Sequence, residues 1–258
     1  MRSQTDKMKK AKILIYDLEV SPILGWTYSL WDARVIKVER QAFIMSVSYR
    51  WYGEKKIHHE SLAGNPSLGY DDCDKGLVRI IRDLFDDADI VVAHNANRFD
   101  NKVATAAFLR HDLTPPSPYK TVDTLRVARG ISKFPSNSLD SLCETFGIGR
   151  KSTTTHRELW HACLQGDAKA WDKMRIYNNQ DVELLTKLYE KFLPYIRNHP
   201  NLGDITRVDG ACPKCGKTDL DKRGFNDARI PKQRYRCKNC GGWCNETTIN
   251  KAGRTVNA

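Results

Sequence analysis

The stretch "ILIYDLEV", Ile13 to Val20, decides how the rest of the chain is read. Ile13, Leu14, Ile15 and Tyr16 form the apolar run of a strand buried on both faces. Asp17 and Glu19 interrupt it two residues apart, and strand periodicity points both carboxylates to one face. Two like charges about 6–7 Å apart repel by roughly 2–3 kcal/mol at an effective dielectric near 20. A core strand that carries this cost needs an opposite charge beside it.

Outward from this strand, the pattern predicts further strands over residues 34–38 and 43–51 and a short one near 56–59. Leu77, Ile80, Ile81, Leu84 and Phe85 recur at helical spacing, which predicts a helix over 75–87 with Asp74 as its N-cap. "DIVVAHN" (89–95) reads as a buried strand entering a polar loop, and a helix follows over about 100–110 before "TPPSP" stops it. "SNSLDSLCETFG" is a capped helix ending at Gly147, and a long helical pattern covers about 168–193. Strands followed by strand–helix alternation predict an α/β domain with a mixed sheet.

The long helix repeats the puzzle of the first strand. Met174, Tyr177, Asp181, Leu184, Leu188 and Phe192 form one stripe, so Asp181 fills an apolar slot with Tyr177 one turn before it. "HNANRFD" (94–100) adds Asp100 at a helix start. Singly, each has an ordinary explanation: an Asp at a helix start caps it, and a Tyr on an apolar stripe belongs to the core. Four acids on core-facing positions of three elements together require cations. Mg²⁺ and Mn²⁺, which prefer oxygen ligands, are the natural choice, and a pair of them about 3.5–4 Å apart suits phosphodiester chemistry.

Charge and cysteines mark a second unit. Of the net +11, residues 1–12 carry +4 and residues 211–258 carry +7, so the body between them is neutral. Basic ends on a neutral body suggest a polyanionic partner. Cys73, Cys143 and Cys163 are scattered, as ordinary reduced thiols would be, whereas Cys212, Cys215, Cys237, Cys240 and Cys244 crowd the C-terminal part. "CPKC" and "CKNC" have the spacing of a closed four-cysteine site for one structural Zn²⁺, with Cys244 able to replace Cys240 as ligand. Arg234, Tyr235, Arg236, Lys238 and Trp243 interleave cations with aromatics, a composition suited to phosphate contact and base stacking. A surface that docks on another protein is the alternative. "RNHPNLGDITRVDG" lacks periodicity, which places a linker at 201–210 between a body over 12–200 and a ribbon over 211–250, with tails at 1–11 and 251–258. No run approaches 18 apolar residues, so neither a membrane span nor a membrane partner is expected, and the basic start followed by one short strand predicts no signal peptide and a cytoplasmic protein.

"YDLE", "HNANRFD" and "YNNQD", in this order and context, resemble the three motifs of DEDD (DnaQ-like) 3′–5′ exonucleases. Tyr177, four before Asp181, is similar to the DEDDy branch; the DEDDh branch would place a His at position 176, which is Ile. Four residues between Asn95 and Asp100 resemble the proofreading domain of family B DNA polymerases, and "PPSPYKTVDTL" and "SNSLDSLCETFGIGRKS" extend the likeness over about 11–195. Val20 departs from the Thr that many members carry after the Glu. "CPKCG…QRYRCKNCGGW" is similar to zinc ribbons at the DNA-binding ends of transposases.

The resemblance implies an RNase H-like fold and two-metal phosphodiester hydrolysis. Asp17 would bridge both ions, Glu19 and Asp181 would hold the one that activates water, and Asp100 would support the other. Tyr177 would orient the attacking water, a phenol being too weak an acid for full general-base duty. Asn95 and Phe99 would touch the terminal nucleotides. Asp123 and Asp140 remain caps and His94 a loop hydrogen-bonder. The reading is therefore a nuclease acting on DNA in preference to RNA, with any polymerase supplied in trans. Its alternatives are a recruitment protein with a silent nuclease core and an RNA-processing nuclease.

Overall fold

The computed structural model describes residues 10–29, 31, 34–70, 73–150 and 156–249. In chain order the elements are β1 (Ile13–Val20), β2 (Leu24–Trp26), β3 (Lys37–Arg40), β4 (Ile44–Trp51), β5 (His58–Ser61), α1 (Lys75–Asp87), β6 (Ile90–Ala93), α2 (Asp100–Arg110) and β7 (Lys120–Asp123). There follow α3 (Thr124–Ile131), α4 (Leu139–Thr145), α5 (His156–Leu164), α6 (Ala168–Phe192), α7 (Leu202–Thr206), β8 (Leu220–Phe225), β9 (Gln233–Cys237), β10 (Trp243–Asn245) and α8 (Glu246–Ile249).

Five strands form one sheet in the order β5-β4-β1-β6-β7. β1 is antiparallel to β4 and parallel to β6, and β6 is parallel to β7, so the sheet is mixed as expected. Alternation along β1 separates two cores. Leu14, Tyr16 and Leu18 pack with α1 and α2, while Ile13 and Ile15 pack with Val182, Leu185, Leu188 and Tyr189 of α6. The face that meets α6 is thus the one on which Asp17 and Glu19 continue the odd-numbered series.

Helices α1, α2 and α6 fall where the periodicity places them, and Ser138 caps α4 by accepting the Ser141 N–H at 3.3 Å. The expected strand at 34–38 is displaced to 37–40, paired with β2 in a separate two-stranded hairpin. Asp74 occupies the N-cap position of α1 but its carboxylate makes no cap bond. It turns inward instead, accepting the Ile44 N–H at 2.9 Å, Arg110 Nη2 at 2.6 Å and the buried His111 Nε2 at 2.7 Å. Asp123 does cap α3, accepting from Leu125 and Arg126 N–H, whereas at α4 that role belongs to Ser138 and Asp140 lies within the first turn. Cys73, Cys143 and Cys163 are buried free thiols.

The segment 201–210 is folded rather than extended. Asn201 caps α7, and Leu202 is buried against the α6 core while its N–H donates to Pro213 O. The three-stranded sheet β10-β9-β8 that follows is held to the body by Asn201 Nδ2 on Thr248 O and by the Lys214 ammonium on Pro194 O. No described helix is long and apolar enough to cross a membrane.

Candidate active site

β1 runs past the end of β6. Ile13, Leu14 and Ile15 pair with Ile90, Val91 and Val92, and the carboxylates come after the last pair. β4 alone flanks them, with Asp17 opposite Ser48 and Glu19 opposite Ser46. A register shift between Glu19 and Val20 bends the strand at that point. Helix α6 crosses this face and delivers Asp181. One oxygen from each of Asp17, Glu19 and Asp181 lies within 4.8 Å of the others. Glu19 and Asp181 are 8% and 3% exposed and Asp17 is half-buried, so the group opens to solvent on the Asp17 side. Three hard anionic oxygens on two rigid elements suit Mg²⁺ or Mn²⁺ and no soft metal.

Asp100 is not in this three-carboxylate group but is bonded to the strand between two of its members. The first residue of α2, 3% exposed, it accepts the N–H of Leu18, midway between Asp17 and Glu19. Burial pushes its carboxyl up to about 7, further raised by the Asp123 charge, while the N–H donors of Leu18 and Asp100 itself pull it back.

Tyr177 is buried one turn before Asp181, its ring edge-to-face with Trp160 of α5 at 5.9 Å. Trp160 Nε1 donates in turn to Val20 O at 3.1 Å, tying α5 to the end of β1. Asn178, fully buried, donates to Asp17 Oδ2 at 2.7 Å and to Asp17 O at 3.3 Å, and accepts the Ser46 hydroxyl at 3.3 Å. Neither Trp160 nor Asn178 was legible as a site residue. The polar Asn178 three before Asp181, on the buried side of α6, was the available signal.

The loop of the second motif is shaped by Asp123, whose carboxylate accepts the N–H groups of Asn95 and Asn97. Asn95 adopts a left-handed φ of 72°, tolerable for Asn, so its identity has a backbone reason besides any substrate contact. Phe99 is 44% exposed at the N-cap of α2. His94 bonds Thr124 Oγ1 and Asn137 O, the loop role expected of it.

At the other end of α6, Cys212, Cys215, Cys237 and Cys240 place their Sγ atoms within 4.8 Å of one another. Cys212–Cys240 and Cys215–Cys237 are 3.8 and 3.6 Å apart. A tetrahedron of Zn–S bonds near 2.3 Å has edges of about 3.8 Å, so the four thiols fit a zinc ion. The thiols form one interacting set, in which the Cys212 and Cys240 thiols pull Cys215 down while hydrogen bonding to Cys215 pushes Cys212 up. Cys244 is outside the group, its thiol on Tyr235 O and pushed up by burial to about 11. On β9 the Arg234 guanidinium stacks over Trp243 at 5.7 Å, and Arg236 shares that face. Tyr235 points to the opposite face, with Cys244, and Lys238 is already paired with Asp219 and Asp221 at 3.0 and 3.4 Å.

The RNase H superfamily model matches residues 44–193, more than half of the chain. This chain belongs to the RNase H superfamily. Over 140 residues it is 29% identical to a PolC-type DNA polymerase III of Ureaplasma parvum serovar 3, which covers 48% of the chain and 10% of that protein. It is similar in structure to a family B DNA polymerase from the hyperthermophilic archaeon Pyrobaculum calidifontis, with a TM-score of 0.53 at 14% identity over 87% of this chain and 32% of that one. The chain thus spans about a tenth and a third of the lengths of these two proteins. An RNase H-like domain accounts for the mixed sheet and its acid-bearing central strand.

Proposed function

We propose that the protein is a metal-dependent 3′–5′ exonuclease of the DEDDy type, acting on DNA in preference to RNA. The observation that carries this reading is the meeting of Asp17, Glu19 and Asp181 from a strand and a helix, with Asp100 bonded to the strand between the first two and Tyr177 one turn away. The name of the PolC-type relative favours DNA as substrate. Bound by the four carboxylates, two Mg²⁺ or Mn²⁺ ions would activate water and stabilise the leaving oxygen of a phosphodiester.

The chain's own residues supply the positioning. Asn178 fixes the Asp17 carboxylate, so that an ion meets an oriented ligand rather than a mobile one. Trp160 holds the Tyr177 ring, whose hydroxyl orients the attacking water. Burial around Glu19, Asp100 and Asp181 excludes bulk water and strengthens each charge interaction. The four cysteines would hold a structural zinc, and the Arg234–Arg236–Trp243 face of the ribbon would grip the strand outside the active site. The folding units are then 12–200 and 211–250, and a polymerase, if one takes part, acts in trans.

The test is cleavage of 5′-labelled single-stranded DNA and RNA in Mn²⁺, with Asp17→Ala as control. Products shortening from the 3′ end, absent with the variant, are expected. Binding without cleavage of either strand would replace the reading by that of a recruitment protein with a silent core. Equal cleavage by Asp17→Ala would remove the metal assignment.

A further inference from the structure

β2 and β3 form a hairpin that leaves the sheet at the active-site end of β1. Ser21 and Phe43 pin its base, Ser21 N–H to Phe43 O at 2.9 Å and Phe43 N–H to Ser21 Oγ at 3.0 Å. It is tightly built: a Cβ on Gly25 would lie 2.6 Å from Val35 Cγ1 and 2.9 Å from Lys37 O. Yet it buries almost nothing, and a two-stranded hairpin in water is marginal on its own. Among the described residues, eight of the seventeen exposed large apolar side chains lie between Ile23 and Val38. Tyr28 and Trp31 are 90% and 96% exposed, and Trp26 lies under the Lys37 ammonium at 6.0 Å. Such a concentration of exposed apolar surface marks a contact site.

We propose that this hairpin is a stacking platform for single-stranded nucleic acid entering the carboxylate site, an inference that rests on the nuclease reading above. Three aromatic rings within six positions, one of them already under a cation, offer π-faces and charge together, as a sequence-tolerant grip on unpaired bases requires. Trp26 lies seven positions after Glu19, so its Cα is within about 25 Å of the Glu19 Cα, a few nucleotides along a strand. Phe99, within the second motif, is a further exposed aromatic ring on the carboxylate side. The platform requires unpaired bases, so the substrate class is a single strand or a frayed 3′ end.

The test compares wild type with Tyr28→Ala/Trp31→Ala and with Trp26→Ala. Affinity for a labelled oligothymidylate of about 12 nucleotides is read by anisotropy without Mg²⁺ or Mn²⁺, so that no strand is cut. Both positions of the double variant are almost fully exposed, and its circular dichroism and zinc content should match wild type. We expect its affinity to fall about tenfold or more, with blunt-duplex affinity and turnover of saturating trinucleotide unchanged. Unchanged single-strand affinity would overturn the platform while leaving the nuclease intact. A loss of dimer in sedimentation without loss of affinity would assign the patch to a second copy of the chain and overturn it too. A wild type that neither binds nor cuts any oligonucleotide would remove the underlying nuclease reading instead.

Discussion

Asp100→Asn should stabilise the protein while abolishing its activity. The Asp100 carboxyl, ordinarily near 3.8, is pushed up to about 7 by burial, with Asp123 adding to the effect. A raised acid contributes its stability below 3.8 and loses it as pH rises through about 7, where the folded chain must bury a charge that the unfolded chain hydrates. At 1.36 kcal/mol per pKa unit this amounts to about 4 kcal/mol at pH 8, an upper figure for a group sharing its surroundings with other carboxylates. The amide keeps the shape and an oxygen for the Leu18 N–H. We therefore expect the variant to gain about 2–4 kcal/mol at pH 8, some 5–10 °C in melting temperature, and almost nothing at pH 4. Thermal unfolding of zinc-loaded protein in buffer free of Mg²⁺ and Mn²⁺ reads both values. Adding Mn²⁺ should raise the melting temperature of wild type more than that of the variant, which keeps Asp17, Glu19 and Asp181 but lacks the fourth carboxylate. A variant less stable than wild type at pH 8, or equally stabilised at pH 4, would refute the argument that Asp100 is a penalised charge.

Asn178→Leu should lower cleavage by roughly 10–100-fold and raise the Mn²⁺ concentration needed for half-maximal activity, since Asp17 loses its donor; an unchanged metal requirement would show that Asp17 orients itself. Cys215→Ser should release the zinc, seen by metal analysis, and weaken binding of long substrates more than short ones. Because Lys214 and Leu202 attach the module to the body, the melting temperature of the whole chain should fall as well. Asp74→Ala should cost about 3–5 kcal/mol in chemical denaturation, as it removes the carboxylate that the buried His111 Nε2 and Arg110 Nη2 share; a loss below 1 kcal/mol would mean that the network is dispensable.

What could be read from the sequence was what repeats locally. Period-two alternation placed Asp17 and Glu19 on one face of β1, and the three–four spacing placed Asp181 and Tyr177 on one stripe of α6. Partners brought together by the fold left no such mark. Asn178 looks like any polar residue of "YNNQD" until Asp17, 161 residues earlier in the chain, meets it. Asp74 has the position of a cap, yet its carboxylate serves Ile44, Arg110 and His111, which are 30 to 37 residues away. The hairpin strand was displaced from 34–38 to 37–40 because neither of its faces is buried, and without burial there is no alternation to read. Residues 201–210 resemble a linker by composition, but Leu202, with Ile205 packed beside it, seats them on the body.

Helix α6 holds Asp181 and, eight residues later, Tyr189, which packs beside Cys215 and Cys240. At 1.5 Å per residue that interval is about 12 Å of rigid rod, with no hinge within it. Asp181 and the four-cysteine cluster are therefore separated by a fixed gauge rather than a tether. Stacked nucleotides advance about 3.4 Å each along a strand, so the gauge spans between three and four of them. If the ribbon is the grip proposed above, a strand shortened below about four nucleotides can still reach the carboxylates but no longer spans to it. Digestion should then slow abruptly, leaving a residue of short oligomers whose size is set by eight residues of helix.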